Sequence, residues 1–138
     1  MTALVRINPA ALAPPPDNRH AHVVIAPAGG RTAYLAGQVA LDRDGNVVGG
    51  RDHARQAEQC FVNIRDALAA IGAGPDRLVQ MTIIVVDHHD ALLPAINAAG
   101  ERAFGADWPV TATTLIGAQA LGHSAFLVEV NAIAALAD

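Results

Sequence analysis

Residues 52–86 read DHARQAEQCFVNIRDALAAIGAGPDRLVQMTIIVV, and this stretch decides the fold. Ala54, Ala57, Cys60, Phe61, Ile64, Leu68 and Ile71 recur at three- and four-residue spacing and line one stripe of a helix, while Arg55, Glu58, Gln59, Arg65 and Asp66 fall on the other side. Such a helix lies on a sheet. Asp52 is placed to cap its first turn, and Gly72 followed by Gly74-Pro75 supplies the left-handed stop and the break beyond it. After a turn at Asp76-Arg77, residues 78–86 are too uniformly apolar for a strand with one wet face and predict a mid-sheet strand.

Outward from this centre, the bulk numbers set limits. A chain of 138 residues is expected to form one domain, residues 1–138, with residues 1–19 as an extended arm and edge strand. About half of the residues are apolar but only 4% are aromatic, so the core is built from Ala, Val, Leu and Ile. All nine cations are Arg, and the net charge of −4 with no basic stripe argues against a nucleic-acid partner. The lone cysteine, Cys60, sits on the apolar helix stripe and reads as a small core residue. Arg6, Asp17, Pro9 and Pro14-Pro15-Pro16 fit neither a signal peptide nor a membrane span, so a cytoplasmic protein with no membrane partner is expected.

Toward the N-terminus, residues 4–7 read as an edge strand, and residues 20–26 and 32–36 as a hairpin closed by Pro27-Ala28-Gly29-Gly30. Gly37-Gln38 marks a bulge in the second of these strands. Residues 42–48 make a tight turn at Asp44-Gly45; Asp42, Asp44 and Asn46 resemble part of a calcium loop, but the spacing is wrong and no bidentate acid follows. Toward the C-terminus, Asp87-His88-His89-Asp90 opens a second helix with Leu92, Leu93, Ile96, Ala99, Ala103 and Phe104 at helical spacing. Trp108-Pro109 leads into a hydroxyl-rich strand containing Thr111, Thr113 and Thr114, and residues 126–134 form the last strand. In that strand Glu129 and Asn131 share a face, and a carboxylate in such surroundings needs a partner or a pocket. The expected architecture is α+β, with a mixed sheet of about six strands and two helices packed on one face. The other face is left for another subunit.

The order of these features resembles the Rid superfamily (RidA/YjgF proteins). The resemblance rests on Leu35-Ala36-Gly37-Gln38-Val39 with the Asp44-Gly45 turn, the long helix, residues 78–87, Pro109 and residues 126–134, and it covers nearly the whole chain from about residue 20. It implies a chorismate-mutase-like fold, a homotrimer, and sites in the clefts between subunits. The best-known branch hydrolyses imines and enamines such as 2-aminoacrylate to a keto acid and ammonia. In that branch a glutamate of the last strand positions water, and Glu129 matches it. The branch's carboxylate clamp is an arginine shortly after the proline of the next-to-last strand. Here Thr111 stands there when Pro109 is aligned and Ala112 when Thr113-Thr114 are, and neither can make a bidentate pair with a carboxylate. The family's serine before Gly-Gln is Ala36, and its tyrosine near the first strand aligns with His20. Whether a partner chain brings a cation such as Arg19 or Arg102 to the cleft in its place is left open by the sequence.

The expected function is therefore a small-molecule hydrolase acting on an imine, enamine or similar reactive metabolite, and not the standard 2-aminoacrylate deaminase. The rival reading is a non-catalytic, regulatory trimer that binds a small metabolite or a protein. Glu129 is the expected catalytic residue, and Thr111, Thr113, Thr114, Gln38, His20 and Trp108 are the expected substrate-binding residues. No cofactor is implied. His20 and His22 share a strand face at a spacing that metal sites use, but no third ligand accompanies them, so no metal is expected either. His88-His89 reads as a solvated turn, and His123 as a loop residue within reach of a neighbouring cleft.

Overall fold

The computed structural model describes residues 3–137. Its strands are β1 (Val5–Ile7), β2 (Val23–Ile25), β3 (Arg31–Val39), β4 (Leu78–Val86), β5 (Ala112–Ala118) and β6 (Val128–Leu136); its helices are α1 (His53–Ala70) and α2 (Leu92–Phe104). The fold is α+β with six strands. They divide into a four-stranded mixed sheet of order β3-β6-β4-β5 and a two-stranded ribbon β1-β2. Within the sheet β4 runs parallel to β5 and antiparallel to β6, and β6 runs antiparallel to β3.

The central stretch folds as its sequence dictates. Asp52 caps α1 by accepting from the N–H groups of Ala54 at 2.9 Å and Arg55 at 3.2 Å. The helix ends where Gly72 turns left-handed (φ 71°) and the Ala73 N–H returns to the Leu68 carbonyl at 2.9 Å. Its stripe of Ala57, Cys60, Phe61, Ile64 and Leu68 is fully buried against Met81, Ile83 and Val85 of β4 and Val128, Val130 and Ala132 of β6. Gln56 belongs to the same buried stripe. Its amide donates to the carbonyls of Gly50 (2.7 Å) and Ala125 (2.8 Å) and accepts from the Leu127 N–H (2.8 Å), clipping two loops to the helix. Leaving those three backbone groups unpaired costs roughly 1–3 kcal/mol each, which is why an amide sits in an otherwise apolar seam.

The expected hairpin between β2 and β3 is corrected. β2 pairs with β1, with Val5 opposite Ile25 and Ile7 opposite Val23, while β3 starts opposite the end of β6, with Arg31 opposite Leu136. The reason lies at Gly29 and Gly30, both left-handed (φ 79° and 80°): a Cβ at Gly30 would come within 2.2 Å of the Leu136 carbonyl oxygen, so the turn presses the chain against β6 instead of folding it back. The bulge predicted at Gly37-Gln38 is present as a register shift between Leu35 and Gln38. The start of the second helix also moves. Asp87 adopts φ 53° and a turn at Asp90-Ala91 closes with the Leu92 N–H on the His89 carbonyl at 2.9 Å, so α2 begins at Leu92, with Pro94 in the first turn where no N–H is needed. In the Asp42 turn, the N–H of Asn46 and then those of its neighbours hold the Asp42 carboxyl below its ordinary value, so this carboxylate caps its own turn. Among the described residues, no helix is long and apolar enough to cross a membrane.

Both helices lie on one face of the sheet. The other face is open in the single chain: Tyr34 is 79% exposed and Ile116 47% exposed, on the same face as Thr82, Ile84, Thr114, Glu129, Asn131 and Ile133. Cys60 lies in the core, with its thiol donating to the Val128 carbonyl, and burial followed by the nearby Glu129 charge pushes its pKa up to about 12. The thiol thus stays protonated at pH 8, so native protein is expected to resist iodoacetamide there and to react once unfolded in guanidinium chloride; alkylation of the native chain contradicts this packing. Above the ordinary thiol value of 9.0 the unfolded chain sheds this proton and the folded chain does not, so the contribution to stability falls as pH rises toward 12.

Candidate functional site

A cavity of about 230 Å³ opens on the helix side of the sheet, lined by Met81 and Ile83 of β4, Thr113 and Leu115 of β5, Leu93 and Asn97 of α2, Phe61 of α1, Trp108, and Pro16, Arg19 and His20 of the arm. Its walls are apolar, with a few polar groups converging on it, the usual character of a small-molecule site. A larger groove of about 520 Å³ beside Arg6, Asp76 and Asp107 is shallow, and the Arg6 guanidinium is already committed to the Val110 and Asp76 carbonyls.

The arm reaches the cavity because it is stitched to the sheet. His20 forms a parallel bridge with Thr111, and the Ala21 N–H donates to the Thr111 carbonyl at 3.0 Å. The His20 and His22 rings stand edge-to-face 5.8 Å apart, and His22 Nε2 contacts the Ala13 carbonyl. Among the described residues, no group of three His, Cys, Asp or Glu side chains could hold a metal ion. Trp108 packs edge-to-face on Phe104 at 6.4 Å and lies so close to Gly100 that a Cβ there would come within 2.6 Å of the ring. Its indole N–H donates to the Arg19 carbonyl at 2.9 Å. Trp108 is thus both a packing anchor and one wall of the cavity.

The residues expected to bind substrate do not all gather here. His20, Trp108 and Thr113 line the cavity. Thr111 is fully buried, with its hydroxyl donating to the Leu78 carbonyl at 2.8 Å, and it positions β5 beside β4. Strand alternation sends Thr114 to the open face opposite Thr82. Gln38 spends its amide on the Ala36 carbonyl across the bulge at 3.1 Å. Glu129 also lies on the open face, between Val39 and Ile84 in register. Its carboxylate fills the space beside Gly37, where a Cβ would stand 1.9 Å from Oε1 and 2.7 Å from Cδ. Glu129 and the cavity are therefore on opposite faces of one sheet, and a single chain cannot bring them together.

Of the polar lining residues Asn97 escaped the sequence reading, while Arg19 entered it only as a cation that a partner chain would bring to the cleft. Asn97 follows Leu93 by one helical turn, so both point to the same place, and that spacing is the signal that identifies it. Arg19 lines the cavity with its guanidinium 5.0 Å above the Trp108 ring, whereas Arg102 pairs with Glu58 on the helix exterior. Of the remaining histidines, His89 and His123 are exposed, but His88 departs from a solvated turn: it packs on Gly117 with Nδ1 enclosed.

With this geometry established, comparison with known proteins places the chain. The family model described as Endoribonuclease L-PSP matches residues 11–136. The chain belongs to this family, the Rid (RidA/YjgF) superfamily. A Rid-family protein of unknown function from Yersinia pestis, YyfB, superposes with a TM-score of 0.87 at 36% identity, covering 98% of this chain and 100% of that one. A 2-iminobutanoate/2-iminopropanoate deaminase of Dermatophagoides farinae is 32% identical over 111 residues, 78% of this chain and 80% of the relative. The RutC family protein UK114 of Drosophila melanogaster is 29% identical over 79 residues, and that match spans only 57% of this chain and 56% of the relative. The Rid assignment confirms the fold expected from the sequence.

Because the Glu129 carboxylate is the far end of a flexible side chain, Gly37→Ala is expected to displace it while shifting the melting temperature by no more than about 3 °C. A crystal structure of the variant checks this: Glu129 in an unchanged position contradicts the close packing described here.

Proposed function

We propose that this chain hydrolyses a small imine or enamine in clefts between the copies of a homotrimer, each cleft joining the cavity of one copy to Glu129 on the open sheet face of the next. The observation that carries the reading is the separation of Glu129 from the cavity by the sheet itself, together with an uncovered face that displays Tyr34 and Ile116. A second copy laid on that face buries the apolar side chains and brings a carboxylate to a pocket mouth. The names of the related deaminases support imine hydrolysis as the chemistry.

In this reading Glu129 accepts a hydrogen bond from a water and orients it toward the imine carbon. The water adds across the C=N bond, the nitrogen takes up a proton, and the carbinolamine collapses to a carbonyl with departure of ammonia. Around the reacting atoms, His20 and Asn97 are the polar groups that meet the developing charge, the Thr113 hydroxyl donates to the Thr111 carbonyl at 3.3 Å, and the apolar walls of Phe61, Met81, Ile83 and Leu115 limit bulk water. An acidic chain with a net charge of −4 gives no support to ribonuclease chemistry, whatever the family model's description.

The test is ammonia release from 2-iminobutanoate generated in solution, measured above the uncatalysed rate. Turnover is expected, and Glu129→Gln is expected to lower kcat by about a hundredfold with the trimer intact. No turnover by the folded trimer, or a Glu129→Gln variant as fast as the parent, contradicts the hydrolase reading and leaves a metabolite-binding trimer.

A further inference from the structure

Two polar side chains in the cavity wall are uncommitted: among the described residues, neither the Asn97 carboxamide nor the His20 ring has a hydrogen-bond partner. We propose that Asn97 is the specificity-determining contact of this site, and that the ligand is a neutral imine or ketone whose bulky apolar group fills the cavity. The inference rests on the cleft reading above and specifies its ligand class.

Three observations carry it. The first is what the walls offer. Phe61, Met81, Ile83, Leu93, Leu115 and Trp108 surround a space of about 230 Å³, room for roughly eight non-hydrogen atoms at about 30 Å³ each. An apolar group of that size gains affinity by leaving water for such a lining. The second is which polar groups remain. The Thr113 hydroxyl is spent on the Thr111 carbonyl at 3.3 Å, whereas the Asn97 amide can donate to a carbonyl oxygen or an imine nitrogen and accept from an imine N–H. An amide facing an apolar ligand costs free energy until it is paired, so a ligand without a polar end is disfavoured. The third is charge. The arginine of the lining, Arg19, is paired with Glu101, and Asp17 joins both in the adjoining groove. Two carboxylates against one guanidinium leave that rim net negative, which opposes an anionic ligand and leaves a neutral one unaffected. On this account 2-iminobutanoate, small and charged, is a substrate held weakly, with a high KM, while Glu129 still sets kcat.

Trp108 is the chain's single tryptophan and forms one wall of the cavity, so its fluorescence reads occupancy without any need for turnover. The probes share a cyclohexyl body. Cyclohexyl methyl ketone is neutral and is what hydrolysis of the matching imine yields beside ammonia. Cyclohexyl(oxo)acetate carries a carboxylate in place of the methyl group, and isopropenylcyclohexane carries a methylene in place of the carbonyl oxygen. The full-length protein is expected to bind the ketone at least about tenfold more tightly than the acid. Asn97→Leu keeps the size of the side chain and removes its amide, so it should weaken the ketone about fivefold and should not weaken the alkene. A change in packing alone would move both probes together. The proposal is overturned if the ketone does not bind, if the acid binds as tightly as the ketone, or if Asn97→Leu either spares the ketone or weakens ketone and alkene alike. Ketone binding that depends on Asn97, without ammonia release from 2-iminobutanoate, removes the hydrolase reading and keeps this one. Turnover of 2-iminobutanoate with a ketone affinity indifferent to Asn97→Leu does the reverse.

Discussion

Two helices can cover one face of a four-stranded sheet and no more. In this chain α1 and α2 bury the face carrying Met81, Ile83, Val128 and Val130, and the opposite face is left with Tyr34, Ile84, Ile116 and Ile133 among polar neighbours. An exposed apolar sheet face of that kind is the surface that the proposed trimer would cover. The same constraint organises the chemistry. Strand alternation sends Thr113 to the cavity side and Glu129 to the open side, so any site using both must draw on two copies of the chain.

How much of this could be read from the amino acids depends on whether the cause is local. The length and ends of α1 are written within residues 52–74: a capping carboxylate, a regular apolar stripe and Gly72. The apolar run of β4 likewise announces an interior strand, and it lies between β6 and β5. Strand partnership is not local. The turn at Gly29-Gly30 has the composition of a hairpin, and only the carbonyl of Leu136, more than a hundred residues away, explains why the chain crosses to β6. Gln56 is similar: a glutamine on a helix looks like surface, and its burial makes sense only once the Gly50, Ala125 and Leu127 backbone groups are brought around it.

The site was legible to the same degree. Glu129 stood out because a carboxylate in an apolar strand demands an explanation, and Gly37 supplies the space for it. The three threonines looked equivalent on paper, yet the bridge to His20 buries Thr111 and the pleat separates Thr113 from Thr114. Asn97 and Arg19 contribute from a helix and an arm that are distant in sequence from β5, so no short motif connects them.

The claim that the site is shared between copies is tested most directly by mixing two defective variants. Glu129→Gln disables the open face, and Thr113→Phe fills the cavity; each variant alone is expected to lose imine hydrolysis. Unfolding an equal mixture and refolding it should restore about a quarter of the wild-type activity, because about one cleft in four then joins an intact cavity to an intact Glu129 from the neighbouring copy. Refolded mixtures of assembled trimers no more active than either variant alone would contradict a site assembled between copies.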